Sequence, residues 1–354
     1  MRIKPYKILE VICFICGFCV SYLIFLKLLP IHKFLIQKNA QIFNQKYETN
    51  LADFLENEIR ILCWVFTHPD NHKKKVPHVK ATWGHKCTKL LFMSTQVDPN
   101  NSDIIALPIE NGRPHLWNKT KLAMKYVYEH HCNDAEWFMR ADDDNFILME
   151  NLRYKLYQYR HQTSFYIGNR FIVKGKRIFE GYMAGGGHIF SKKALEKFIT
   201  KIMPDKRICR YEDGACDDVH VGVCLQKQAI FVDAIDSKNQ KEIFPHGVDI
   251  HMENTMQDMN YWYWKTLWTN VTQSSLECCS DLFIGEHYVT PKNMHLLKSL
   301  IYNVHPFGIE KNLTEELPRK LKMNEILEKS DAKSFSPYYK KYKIEHILDD
   351  DEKF

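Results

Sequence analysis

Three consecutive aspartates, Asp142-Asp143-Asp144, carry the strongest chemical signal in this chain. Ionised side by side they repel one another, so they need a neighbouring cation or their pKa values rise. A hard divalent ion such as Mg2+ or Mn2+ is held by one or two carboxylates together with substrate phosphates. A solvated acidic turn reads the same way, so the surroundings of the triplet decide between the two. A second acidic pair, Asp217-Asp218, lies in CDDVHVG (216–222) at the expected start of a helix. Acids there also complement the helix dipole. Between the two acidic groups, GYMAGGGHIFS (181–191) reads as a glycine-dense loop opening a helix. Three adjacent glycines let backbone approach a ligand closely, although the spacing matches neither a Walker nor a dinucleotide-binding fingerprint. The basic run Lys73-Lys74-Lys75 reads as a solvated loop, with a phosphate contact as the alternative. Trp262, Trp264 and Trp268 read either as a stacking surface for a sugar or peptide or as plain packing.

Those residues need a scaffold. Apolar runs at 60–67, 89–94, 137–140, 164–171 and 229–234 have the length and residue types of strands. The strand at 137–140 places the triplet at a sheet edge, and strand ends in open α/β sheets are where ligands bind. Helical spacing of apolar positions appears at 119–131, 147–160, 192–203 and 294–304. Strands alternating with helices predict an α/β domain with a mostly parallel central sheet.

The chain has 354 residues, a net charge of +6, 45% apolar and 13% aromatic residues. That composition fits a globular core, and it lacks the basic stripe with interleaved aromatics that nucleic-acid binding would call for. The run VICFICGFCVSYLIF (11–25), widened to 9–29, reaches the roughly 20 residues a membrane-spanning helix needs. Arg2, Lys4 and Lys7 precede it and no small-residue cleavage site follows, which predicts an uncleaved signal anchor with a cytoplasmic N-terminus. The expected organisation is a tail at 1–8, the anchor at 9–29, a stem at 30–58, a lumenal catalytic domain at 59–309 and a charged flexible tail at 310–354. Asn100, Asn118, Asn270 and Asn312 head glycosylation triplets. Of eleven cysteines, Cys13, Cys16 and Cys19 fall in the anchor. The eight beyond it include no Cys-x-x-Cys pair, which argues against structural zinc, and an oxidising lumen allows disulfides among them.

Six motifs, in order, resemble one family: WVFT (64–67), HVKATW (78–83), WFMRADDDNF (137–146), GYMAGGGHIFS (181–191), DDVHVG (217–222) and CCSDLFIGEHYV (278–289). They are similar to the glycoprotein-N-acetylgalactosamine 3-β-galactosyltransferases, the core 1 synthases, within the β1,3-glycosyltransferase group that includes the Fringe enzymes. The resemblance spans about residues 58–309. It implies a GT-A-type nucleotide-sugar-binding fold, a single-pass type II anchor in the Golgi membrane, Mn2+ in preference to Mg2+, and UDP-galactose as donor. The implied acceptor is GalNAc α-linked to Ser or Thr on glycoproteins or glycopeptides, and a homodimer is implied as well. By the same resemblance Asp142, Asp144 and His287 are metal ligands, with Asp144 the direct one. Thr67, Thr82, Trp83, Lys119 and Asp142 to Asp144 serve the donor, Gly185, Gly186, Asp217 and Trp264 serve the acceptor, and Asp218 is the catalytic base. Without the family, His287 would be one histidine among 17.

The sequence departs from the family pattern at Asp217, where glutamate is usual, and at Val-His-Val-Gly (219–222), where Leu-Ala-Leu-Gly is usual. His220 therefore stands beside the expected base, which puts acceptor choice in doubt. Cys63 with Cys87, Cys209 with Cys224, and the vicinal Cys278-Cys279 are the expected bridges, leaving Cys132 and Cys216. The competing readings are a related transferase with another donor or acceptor, such as a glycolipid or other glycan, and a non-catalytic lumenal chaperone of the synthase. The family's chaperone lacks the aspartate motif that this chain keeps.

Overall fold

The computed structural model describes residues 51–173, 179–245, 247–248, 262–269, 278–304 and 317–329. The expected anchor at 9–29, Cys13, Cys16, Cys19, Asn270 and Asn312 lie outside them. No helix among the described residues is long and apolar enough to cross a membrane.

The scaffold is a seven-stranded sheet of order β3-β2-β1-β4-β7-β6-β8. Its strands are β1 (Ile61–Phe66), β2 (Lys89–Ser94), β3 (Ile104–Ala106), β4 (Trp137–Asp142), β6 (Phe165–Phe171), β7 (Tyr182–Ser191) and β8 (Ile230–Asp233). Neighbours pair in parallel except on the two sides of β7, which runs antiparallel to β4 and to β6. The sheet is thus mostly parallel, as the alternation of strand and helix predicts. A small second sheet joins β5 (Phe146–Ile147), β10 (Gly285–Glu286) and β9 (Ile243–Phe244) in the order β5-β10-β9.

Side chains alternate between the faces of a strand, and β1 shows the result. Ile61, Cys63 and Val65 enter one core layer, while Leu62, Trp64 and Phe66 enter the other. In β4, Trp137, Met139 and Ala141 enter the first layer and Phe138 the second. Arg140 and Asp142 therefore point to the same side as Phe138. Helices cover both faces: α1 (Val76–Thr82), α2 (Leu116–His131), α3 (Met149–Tyr157), α4 (Lys192–Lys197, continued by a π-helical turn at Phe198–Ile202), α5 (Asp217–Leu225), α6 (Trp262–Thr266), α7 (Pro291–Tyr302) and α8 (Met323–Lys329). Ser191 caps α4 by accepting from the Ala194 N–H, and Thr290 caps α7 by accepting from that of Asn293.

The structure corrects the loop reading of 181–191 and adds detail to the expected tail and stem. The glycine-dense 181–191 segment is strand β7, paired on both edges, because Met183, Ile189 and Phe190 supply core side chains that outweigh the glycines between them. The C-terminal stretch expected to be a flexible tail contains α8, whose Met323 and Ile326 are buried in the first core layer. The end of the expected stem, residues 51–58, is helical, and Leu55 is buried.

The bridges Cys63–Cys87, Cys209–Cys224 and Cys278–Cys279 form. Cys132 and Cys216 are free. The second bridge staples α5 to the loop after the π-helical turn. Close contact with β7 also fixes α5. A Cβ on Gly222 would stand 2.5 Å from the Gly181 carbonyl oxygen and 2.6 Å from the Tyr182 Cβ. Gly222→Ala is therefore expected to cost about 2 kcal/mol by overpacking, a fall of roughly 4–8 °C in Tm. Calorimetry checks this, and an unchanged Tm refutes the tight contact.

Candidate functional site

The parallel register of β1 and β4 pairs Phe66 with Asp142, so the chain leaving each strand arrives at one place. The Asp143 N–H donates to the Phe66 carbonyl at 3.1 Å. Buried Asp143 accepts at Oδ2 from Thr67 Oγ1 and from Asn71 Nδ2, both at 2.8 Å, and at Oδ1 from Lys75 Nζ at 2.9 Å. Its oxygens are committed, so it organises the turn. Asn145 closes that turn by accepting from the Asp142 N–H at Oδ1 and from the Trp83 indole N–H at its carbonyl.

Asp144 meets Lys75 Nζ at 3.3 Å through Oδ2 and His287 Nε2 at 3.0 Å through Oδ1. His287 also lies 3.6 Å from Asp142 Oδ2. β10 delivers His287 by pairing with β5 immediately after the triplet, and the Val289 N–H donates to the Asp144 carbonyl. Burial opposes ionisation of Asp144, but His287 and Lys75 outweigh it and hold the carboxyl below its usual range. Burial likewise opposes a charge on His287, and Asp144 and Asp142 outweigh it, raising the imidazole.

Arg140 binds the two acidic groups together. It is almost fully buried, and its guanidinium lies 3.2 Å from Asp142, 3.4 Å from Asp217 and 3.2 Å from Asp218. It also covers the Phe66 ring at 4.8 Å. Asp217 accepts from Thr120 Oγ1 at 2.8 Å. Asp218 keeps 27% of its side chain exposed. One guanidinium cannot balance three carboxylates. Burial first, then Asp217 and Asp142, push Asp218 up to about 8 against the pull of Arg140.

Several expected donor residues act from behind the site. Thr82 Oγ1 donates to the His78 carbonyl inside α1, and Trp83 is buried with its N–H on Asn145. Both side chains make these contacts inside the protein, beside the turn that carries the triplet. Lys119 Nζ donates to the Thr67 carbonyl at 2.6 Å, and burial lowers it to about 8. Gly185 has a φ of 60°, and the place of its absent Cβ is filled by Pro245, not by a ligand. Gly186 lies beside it in β7. Trp264 is buried with Phe171, Tyr263 and Leu267, and Trp268 is covered by the Arg170 guanidinium at 3.6 Å. His220 packs on Trp117 with ring centroids 5.3 Å apart, not on Asp218. Asn100 is exposed and Asn118 half-buried in α2. The sequence reading missed Lys75 and Arg140. Lys75 was hidden in a basic run. Arg140 was legible as the alternate-position neighbour of Asp142 on one strand face.

Among the described residues no group of three or more His, Cys, Asp or Glu side chains forms a ready-made metal cage. The donor set nevertheless fits a divalent ion completed by substrate phosphates. Asp144 Oδ1 is buried and has no hydrogen-bond partner, although His287 Nε2 is 3.0 Å away. The two atoms thus converge on one point beside the triplet. Carboxylate oxygen and imidazole nitrogen together suit Mn2+, which would take the imidazole in its neutral form.

A Fringe-like family model matches residues 57–251. The chain belongs to the Fringe-like family. It is 32% identical over 271 residues to glycoprotein-N-acetylgalactosamine 3-beta-galactosyltransferase 1 of Xenopus laevis, covering 76% of this chain and 73% of that one, which places it with those β1,3-galactosyltransferases. More distant relatives are a mouse beta-1,3-glucosyltransferase (26% identity, 44% of this chain and 30% of that one) and human chondroitin sulfate synthase 3 (26%, 48% and 20%). The galactosyltransferase LgtC, solved with donor and acceptor sugar analogues, aligns over 69% of this chain and 97% of its own at 10% identity and a TM-score of 0.36. This member of the Fringe-like family is a glycosyltransferase.

The raised Asp218 has a consequence for stability. Its folded pKa exceeds the unfolded value, so from about pH 4 to about pH 8 the folded state binds a proton that the unfolded state has lost. Stability from this group is full below the unfolded pKa and falls as pH rises through the folded one. Asp218→Asn is expected to raise Tm at pH 8 and to match the parent near pH 4. Equal Tm differences at the two pH values would contradict the burial argument.

Proposed function

We propose that this glycosyltransferase is an inverting enzyme of GT-A type that transfers galactose from UDP-galactose to the 3-hydroxyl of GalNAc α-linked to Ser or Thr. The observation that carries the reading is that Arg140 links a base to a donor pole. Its guanidinium meets Asp218, raised and partly exposed, and Asp142, which lies 3.6 Å from His287, itself 3.0 Å from Asp144. The Xenopus relative supplies the sugar and the acceptor by likeness.

Asp142, Asp144 and His287 would hold Mn2+, which when bound supplies Lewis-acid stabilisation of the departing diphosphate. Asp218 takes the proton of the acceptor hydroxyl as that oxygen attacks the anomeric carbon. A carboxylate whose pKa lies close to the operating pH is a stronger base than an ordinary one. Arg140 keeps Asp218 oriented, and Lys75, on the Asp143–Asp144 edge, adds positive charge facing the diphosphate. The three disulfides support an oxidising compartment for this domain; the single-pass type II anchor and the Golgi membrane are taken from the apolar run at 9–29 and from the family resemblance.

The test incubates the purified lumenal domain with Mn2+, a panel of UDP-sugars and GalNAc-peptide or glycolipid acceptors. Transfer of galactose to the GalNAc-peptide is expected; no product from that pair sinks the assignment, and transfer only from UDP-glucose would favour the glucosyltransferase relative. Asp218→Asn is expected to lower kcat by about 10²–10⁴-fold, and Asp144→Ala to abolish transfer and metal-dependent UDP binding by calorimetry.

A further inference from the structure

One buried titratable group beside the site has no part in the reaction so far. His188, on β7, is only 2% exposed. Its register partner on β4 is Arg140. Its Nδ1 lies 3.9 Å from Asp218 Oδ1 and has no hydrogen-bond partner. The Met183 backbone supplies the ring's hydrogen bond. Tyr166 and Phe190 pack edge-on against it, with centroids 5.6 and 5.5 Å away. Burial, then the nearby Arg140 charge, hold the imidazole well below its usual range, so it is neutral.

A neutral imidazole has one N–H and one lone pair. The backbone bond takes the N–H, which leaves the Nδ1 lone pair facing Asp218. That lone pair cannot bond an ionised carboxylate, which has no proton to give. It can accept from a carboxyl that has just gained one.

We propose that His188 is a positioning residue for the base, its Nδ1 lone pair receiving the hydrogen bond of Asp218 once Asp218 has taken the proton of the acceptor hydroxyl. The inference rests on Asp218 being the base. In the ionised, reactive form Arg140 Nη1 holds Asp218 at 3.2 Å. As the acceptor oxygen bonds the anomeric carbon and the bond to the diphosphate breaks, the hydroxyl proton passes to Asp218. The neutralised carboxyl loses its attraction to Arg140 and turns its O–H to Nδ1. After release the proton returns to solvent. Measured from the ionised, reactive form of Asp218, which cannot make this hydrogen bond, the bond appears only as the proton transfers and so favours the step. The other groups facing Asp218 are Arg140 and Asp142 from β4, Asp217 at the start of α5, Tyr166 from β6, Tyr182 from β7 and His287 after β10. His188 is the neutral nitrogen acceptor set against it within the sheet.

The experiment measures transfer to GalNAc-peptide from UDP-galactose with Mn2+ between pH 5.5 and 9 for the parent, His188→Phe, His188→Gln and Asp218→Asn, with Tm as a folding control. Phe suits the aromatic surroundings; His188→Met replaces it if Phe does not fold. Expected are a kcat about tenfold lower in His188→Phe, donor KM within about twofold, and an acidic limb moved down by about one pH unit, the scale of one hydrogen bond. The Gln carbonyl is expected to restore part of kcat. Parent-like kcat and limb in a folded His188→Phe overturn the inference, and so does a limb moved upward, which would make His188 a donor to the ionised base. Full activity in Asp218→Asn overturns the base assignment itself, a separate result from a silent His188.

Discussion

One buried guanidinium against three carboxylates governs this site. Removing charges from water is expensive, and a buried cation survives only with close partners. Arg140 has them on two elements, β4 and α5, so the contact that neutralises it also sets the distance between the donor pole and the base. The imbalance matters as much as the attraction. With a matched pair, Asp218 would be an ordinary ionised carboxylate. With Asp217 and Asp142 sharing the same cation, it is raised into the range useful for proton transfer. Preorganisation and base strength thus come from one arrangement.

That arrangement depends on register more than on loops. Parallel pairing of β1 with β4 brings Thr67 level with Asp143, and strand alternation turns Arg140 and Asp142 toward α5. α5 is held there by the Cys209–Cys224 bridge and by the bare backbone of Gly222 against β7. His287 enters from a separate small sheet. Trp83 and Thr82, remote in sequence from the triplet, support it only from behind.

Much of this was legible in the chain. The strand at 61–66 is an unbroken apolar run and those at 89–94 and 165–171 are mostly apolar or aromatic, and the helices at 116–131, 192–197 and 291–302 carry apolar stripes. The acidic motifs and the three bridges followed from motif order. What escaped has physical causes. β7 contains glycines that conceal its pairing, since strand propensity reports packing on a half-buried surface, not backbone preference. Lys75 looked like one of three solvated lysines; only the turn of chain at Asn71 aims it at Asp143. His188 carries no local signal, because its neutrality comes from burial that no short window of sequence reveals. α8 was hidden by charged flanking residues, although Met323 and Ile326 have the spacing of one helical face.

The pairing of β10 with β5 also bears on how the chain is made. Residues 140–144 leave the ribosome long before His287, more than 140 positions later, so the three aspartates of the triplet must wait with Arg140, Lys75 and Lys119 for company. The central sheet, by contrast, can pair β1, β2 and β4 early from nearby sequence. Long-range closure of this kind is slow, because loop entropy is lost before contacts reward it. The strand that completes the site is thus among the last pieces to arrive, and until then Asp144 lacks its imidazole neighbour.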